Sequence, residues 1–116
     1  MIYTGRVYDK DKKNKTKTFL VDRIWPRGIK KSDVTMDGWL KEAAPSDTLR
    51  RWFHTKPDQW TEFKKRYYEE LDGKPGEYQP ILEAARNGDV TLLYGSKDVE
   101  HNNAIVLKEY LEQKLK

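Results

Sequence analysis

"VTLLYG", residues 90–95, is the stretch that decides the fold. It is a short run of apolar and β-favouring residues that stops at a glycine, as a buried strand does. A second such run, "TFLVD" at 18–22, lies far upstream and ends at Pro26 and Gly28. The chain between them has helical periodicity. A long helical crossover favours a parallel strand pair with right-handed connection. "IYTGRVY", residues 2–8, reads as a further short strand. The polar loop "DKDKKNKTK" (9–17) joins it to the second, and its length leaves the first strand's direction open. Five lysines in those nine residues predict an exposed, mobile loop.

Four helices are predicted inside the crossover. Met36, Trp39, Leu40 and Ala43 have helical spacing after Ser32 or Asp33, and Pro45 closes that segment. Ser46 is an N-cap for a second helix with Leu49, Trp52 and Phe53 on one face. Pro57 stands near the start of a third, with Trp60, Phe63, Tyr67 and Leu71 as its stripe. Tyr78, Ile81, Leu82 and Ala85 mark the fourth, with Gly88 as the C′ residue. After the last strand, Asp98 is read as the cap of a helix over 99–116. Ala104, Leu107 and Leu111 form its stripe, and His101 tops it. The expected architecture is a small single α/β domain over residues 1–116. It has a short, mainly parallel sheet of three or so strands flanked by about five helices.

Composition narrows the chemistry. Charged residues are as numerous as hydrophobic ones, at 36% each, but four Trp, seven Tyr and three Phe can build a small core on rings. Without cysteine, disulfides, thiolate metal sites and Cys nucleophiles are excluded. No run approaches the roughly 18 apolar residues of a membrane span, so a cytoplasmic protein with no membrane partner is expected. Residues 1–31 carry +7 of a net charge of +4, so the remainder is acidic. This asymmetry suits an anionic partner, and equally a solvated Lys-rich loop. With no Gly-rich phosphate loop, GxSxG, HExxH or Walker pattern, and only two histidines, no metal and no cofactor is expected.

Open α/β sheets bind ligands beyond the carboxyl ends of their strands. The second strand ends in Asp22, Arg23, Trp25 and Arg27, and the third in Tyr94, Ser96 and Asp98, followed by His101, Asn102 and Asn103. If the strands are parallel, both sets meet at one edge, beside the start of the last helix with its free N–H groups. Guanidiniums, N–H groups and carboxamides suit a phosphate or carboxylate. Arg23, Trp25, Arg27, Ser96 and Asn102 are the candidate ligand-binding residues; His101, Asp22 and Asp98 are the candidate catalytic ones. At least one of Arg23 and Arg27 is expected to face His101 or the N–H groups of 99–102 across a cleft. Each residue also has a structural alternative. The arginines can pair with nearby acids, Trp25-Pro26 can be a packed corner, Asp98 a helix cap, and His101 a buried hydrogen-bonded histidine. His54 is read as a helix-end residue.

"LVDRIWPRGIKKSD", "WLKEAAPSDTLRRWFHTKPDQWTEFKKRY" and "VTLLYGSKDVEHNNAIVLKEYL" together resemble the YeaO-like branch of the domain of unknown function family 488, over nearly the whole chain. The resemblance implies a small cytoplasmic bacterial or archaeal protein and carries no settled activity. A related branch is similar at fewer points, including an acid-and-arginine corner before a proline and a Cys-His-Arg motif. Its counterpart here is Glu100-His101-Asn102, which keeps the histidine alone. Where a second histidine often stands in the YeaO-like branch, this chain has Asn103.

Three functions compete. The first is binding of a phosphate-bearing or other anionic ligand, a nucleotide or nucleic acid, at the strand ends. The second is an enzyme on a phosphorylated or nucleoside substrate, with His101 as general acid or base. The third is a protein-interaction module using exposed Trp and Tyr. Oligomeric state is left open.

Overall fold

The structure, a computed structural model, describes residues 1–8, 16–33 and 36–116. Among these residues four strands form one sheet: β1 (Ile2–Arg6), β2 (Lys17–Leu20), β3 (Gly38–Trp39) and β4 (Val90–Tyr94). Their order is β1-β4-β2-β3, and every neighbouring pair is parallel. The pairing of 18–22 with 90–95 is as expected, with Phe19 opposite Leu92. β1 is parallel too, but it lies against β4, with Thr4 opposite Leu92. The last strand in the chain is therefore central in the sheet. That position explains its largely apolar sequence: all but Thr91 of its residues are buried.

Alternate side chains feed two clusters. Phe19, Val21, Leu92 and Tyr94 face the larger core, built with α1 (Asp47–Thr55), α2 (Trp60–Asp72), α3 (Pro75–Asn87) and α4 (Asn103–Lys114). Val7, Leu20 and Leu93 face the other way, onto Trp25, Ile29, Met36 and Trp39. The second face is thus covered by the irregular chain between β2 and β3.

That chain is where the helix expected around Met36–Ala43 fails to form. Among the described residues only the short 3-10 turns Lys31–Asp33 and Lys41–Ala43 appear, flanking β3. Two local features favour the strand. Gly38 is costly in a helix interior. The Asp37 carboxylate accepts from the Thr18 backbone N–H at 2.8 Å, an alternative to helical bonding. The Asp37 N–H donates to Thr18 O at 2.7 Å and the Leu40 N–H to Leu20 O at 2.9 Å, completing the edge.

Two further corrections concern helix ends. α4 starts at Asn103, not at 99, because Asn102 is its cap: Oδ1 accepts from the Ile105 N–H at 3.0 Å. Gly88 follows α3 in an extended conformation, with φ of 165°, rather than as a left-handed C′ residue. Ser46 caps α1 as expected, accepting from the Leu49 N–H at 3.1 Å. In the predicted loop, residues 9–15 lie outside the described residues, while Lys17 is the first residue of β2.

The Asp37 bond offers a test of the edge strand. Asp37→Ala is expected to lower unfolding stability by about 1–2 kcal/mol, and Asp37→Asn by less, because its amide oxygen can still accept. Equilibrium urea denaturation measures both. A D37A protein as stable as wild type would show that β3 does not depend on this side chain.

Candidate functional site

At the carboxyl ends of β2 and β4 the chain is tied by one side chain. Asp22 Oδ2 accepts from the Gly95 N–H at 2.8 Å, and Oδ1 from Asn103 Nδ2 at 3.2 Å. Asn103 Nδ2 also donates to Val21 O at 2.7 Å, and Trp39 Nε1 donates to Asp22 O at 2.7 Å. A Cβ at Gly95 would lie 3.1 Å from Asp22 Oδ2, closer than ordinary contact, so a larger residue would press on the carboxylate. Burial pushes the Asp22 carboxyl above its ordinary range, against the opposing pull of the Gly95 and Asn103 donors. No cation pairs with it among the described residues.

Above Asp22 opens a cleft of about 720 Å³, between the strand ends and the α1–α2 hairpin. The hairpin is fixed from below. Tyr67 on α2 donates its hydroxyl to Ala43 O at 2.5 Å, and Glu70 accepts from Ser46 N and Oγ at 2.8 and 2.5 Å. One wall of the cleft is aromatic. Phe53 stacks on Phe63 with centroids 4.3 Å apart, and Trp60 stacks on Phe63 at 5.7 Å. The ring of His101 meets Trp60 at 5.0 Å and 85°, joining the β4–α4 loop to that wall.

Two guanidiniums border the same space. Arg23 donates from Nε to Pro45 O at 2.8 Å and lies 3.4 Å from Glu42 through Nη1. Arg50 holds Asp47 at 2.7 Å through Nη2, which keeps the Asp47 carboxyl below its ordinary range. Its Nε is buried with no hydrogen-bond partner. Lys97 and the acids Asp58 and Asp98 also line the cleft. The cations Arg23, Arg50 and Lys97 are therefore matched in number by Asp22, Asp58 and Asp98.

Of the candidate residues, Asp22, Arg23, Ser96, Asp98, His101 and Asn102 gather here. Trp25 and Arg27 do not. The Trp25 indole donates to Ile29 O at 2.7 Å and meets Trp39 edge-on at 5.3 Å, as a packed corner on the opposite face. Arg27 is exposed, and its carbonyl accepts from the Tyr8 hydroxyl at 2.8 Å. Gly28, with φ of 81°, turns the chain away through the left-handed region.

Around α4 the expectation of free N–H donors changes. Asp98 Oδ1 accepts from the N–H groups of Glu100 and His101 at 3.0 and 2.9 Å, which hold its carboxyl below the ordinary range. Ser96 Oγ takes the Asp98 N–H at 3.1 Å. Asn102 is buried and spends Nδ2 on Asp98 O at 2.9 Å while Oδ1 caps the helix. His101 precedes the helix instead of topping its stripe, and is half exposed, with Nδ1 3.3 Å from Asp98 Oδ2. Arg23 alone of the two arginines shares a cleft with His101.

Arg50, Phe53, Trp60 and Phe63 line the cleft without having been singled out for it. The apolar periodicity of α1 and α2 reads as core, and part of it is core. The one sequence signal was the aromatic density of "WFHTKPDQW" (52–60), more than two short helices need to pack.

Asp22 makes a pH-dependent contribution whose sign is fixed. Its folded-state carboxyl is raised above the ordinary value of 3.8, so its contribution to stability is full below 3.8 and is lost as pH rises through the raised value. Asp22→Asn cannot titrate, and its amide sets a donor against Gly95 N–H or Asn103 Nδ2. D22N is expected to cost about 1–2 kcal/mol near neutral pH, with a larger deficit at about pH 4. Urea unfolding of both proteins at the two pH values measures this. A deficit that shrinks toward acid would contradict it.

Comparison with known proteins adds a family. The uncharacterised protein YeaO of Escherichia coli (strain K12) is 40% identical over 110 residues, covering 95% of this chain and 96% of that protein. The uncharacterised proteins Mb3100c of Mycobacterium bovis and Rv3073c of Mycobacterium tuberculosis are each 34% identical over 110 residues, covering 95% of this chain and 92% of theirs. No solved structure matches. The family described as the inactive DUF488-N3 subclade matches residues 1–116, and the chain belongs to it.

Proposed function

We propose that the cleft at the ends of β2 and β4 binds an anionic ligand, a nucleotide or another phosphate-bearing molecule. The observation that carries this reading is Arg50, which lines the cleft and whose Nε is buried without a partner among the described residues; a buried donor left unmade is costly. Arg23 borders the same space, with Nη2 unused by any described residue. An oxyanion in the cleft would have both guanidiniums on its border. A flat ring of the ligand would lie against Phe53 and Trp60, since Trp25 packs on the opposite face. A volume of about 720 Å³ is in the range of small-molecule sites. The anionic partner is set in the cytoplasm, where nucleotides and nucleic acid are met.

A second reading rests on His101 and Asp98. Their 3.3 Å contact is the arrangement of an oriented general acid or base, and both line the cleft. The family's description as inactive favours binding over turnover. Among the described residues no nucleophile with an activating partner stands beside them.

The test is a thermal-shift screen of nucleotides and sugar phosphates against wild type, Arg23→Met and Arg50→Met. At a hundred times its dissociation constant a ligand should stabilise wild type by about 2.7 kcal/mol. The shift should be lost in R50M and reduced in R23M. R23M should also lower the ligand-free midpoint, since Arg23 bonds Pro45 and Glu42. A panel without any shift, or one whose shifts survive R50M, overturns the proposal.

A further inference from the structure

The anion accounts for one side of the cleft and leaves its floor unexplained. The two side chains of the floor, Asp22 and Asn103, have only acceptors to spare. Each Asp22 oxygen takes one protein donor and has a second lone pair to spare. Asn103 spends Nδ2 on Val21 O and Asp22, and its Oδ1 accepts from no described residue. No cation among the described residues neutralises Asp22. A desolvated carboxylate without a counter-charge is unfavourable unless donors reach it. The missing partner of the floor is therefore a group with adjacent N–H donors, just as the missing partner of Arg50 is an acceptor.

A ligand serving both ends has a flat body to lie on the Phe53–Trp60 wall, an anionic tail and a donor-only edge. Among nucleobases, guanine presents N1–H and the 2-amino group side by side, and a carboxylate can accept both. Adenine sets the acceptor N1 beside its amino group, which would meet these acceptors with a lone pair. Resting on the anion reading above, we propose that the cleft takes a guanine nucleotide. Asp22 receives the N1–H and 2-amino edge, Asn103 Oδ1 adds an acceptor beside it, the base lies against Trp60, and the phosphate reaches Arg23 and Arg50. The matched numbers of acids and cations in the cleft, unusual for a plain phosphate site, then follow from a ligand with donors at one end and charge at the other.

Isothermal titration of the wild-type protein with GMP, IMP, AMP and ribose 5-phosphate decides the matter without a variant. GMP should bind at least about tenfold more tightly than AMP, with IMP, which keeps N1–H and lacks the 2-amino group, between them. Asp22→Asn should collapse the GMP-to-AMP ratio toward one, with AMP binding in the same variant as the control for an intact cleft. A 5′-phosphorylated single-stranded pentanucleotide beginning with G distinguishes the source. Tighter binding than GMP identifies a nucleic-acid end, and weaker binding a free nucleotide; both preserve the base assignment. If AMP and ribose 5-phosphate bind as well as GMP and lose affinity in R50M, the guanine assignment is overturned and the anion reading stands. If none of the four binds, both are overturned.

Discussion

The Asp22 carboxylate is the constraint on which the rest of the site depends. Through Gly95 it fixes the end of β4 to the end of β2, and through Asn103 it fixes the first residue of α4 to both. The carbonyl of the same residue holds the Trp39 indole, and so the edge strand. One residue thus sets the positions of three segments that diverge just beyond it. The cleft exists because they diverge there, and its floor is rigid because they are joined before they do. The electrostatic cost of burying the charge is offset only in part by N–H donors, which keeps the group responsive to whatever enters above it.

The two faces of the sheet are served by different devices. One carries all four helices and nearly all the buried apolar side chains. The other is closed by Trp25 and Trp39, whose rings meet edge to face and whose indole N–H groups both find carbonyls. Two partly buried tryptophans cover this face. The corner after β2 is thereby packed away from the cleft, and the aromatic contribution to the cleft comes from α1 and α2.

How much of this was legible depends on the range of the interaction. Strand runs such as 90–95 and the cap at Ser46 are local, and the sequence displays them. The convergence of Asp22 and Arg23 with Ser96, Asp98 and His101 follows from parallel topology, itself a consequence of crossover length. The helix assigned around Trp39 went astray because its spacing is helical, while Asp37 and Gly38 are governed by a partner strand distant in sequence. Asp98 and Asn102 exchanged roles because two good capping residues lie four apart, and only packing chooses which one the helix starts from. Arg50 carries no sequence signal at all. Its surroundings arise where two helices leave a gap, and periodicity describes each helix alone.

The central place of β4 bears on how the chain reaches this structure. β1 and β2 do not pair with each other; both wait for a strand that ends at Tyr94. Ile2 must find Val90, so the sheet's longest closure spans most of the chain. Contacts of such separation are slow to form, because loop entropy is lost before they stabilise anything. During synthesis β1 and β2 emerge before β4 and lack their shared neighbour until it has left the ribosome, at about 5–20 residues per second. The helices α1 to α3 can collapse in that interval, offering β2 a provisional apolar surface before its neighbour arrives. Folding of this protein is thus a late, template-completing event, and its exposure to aggregation is concentrated before residue 90 is available.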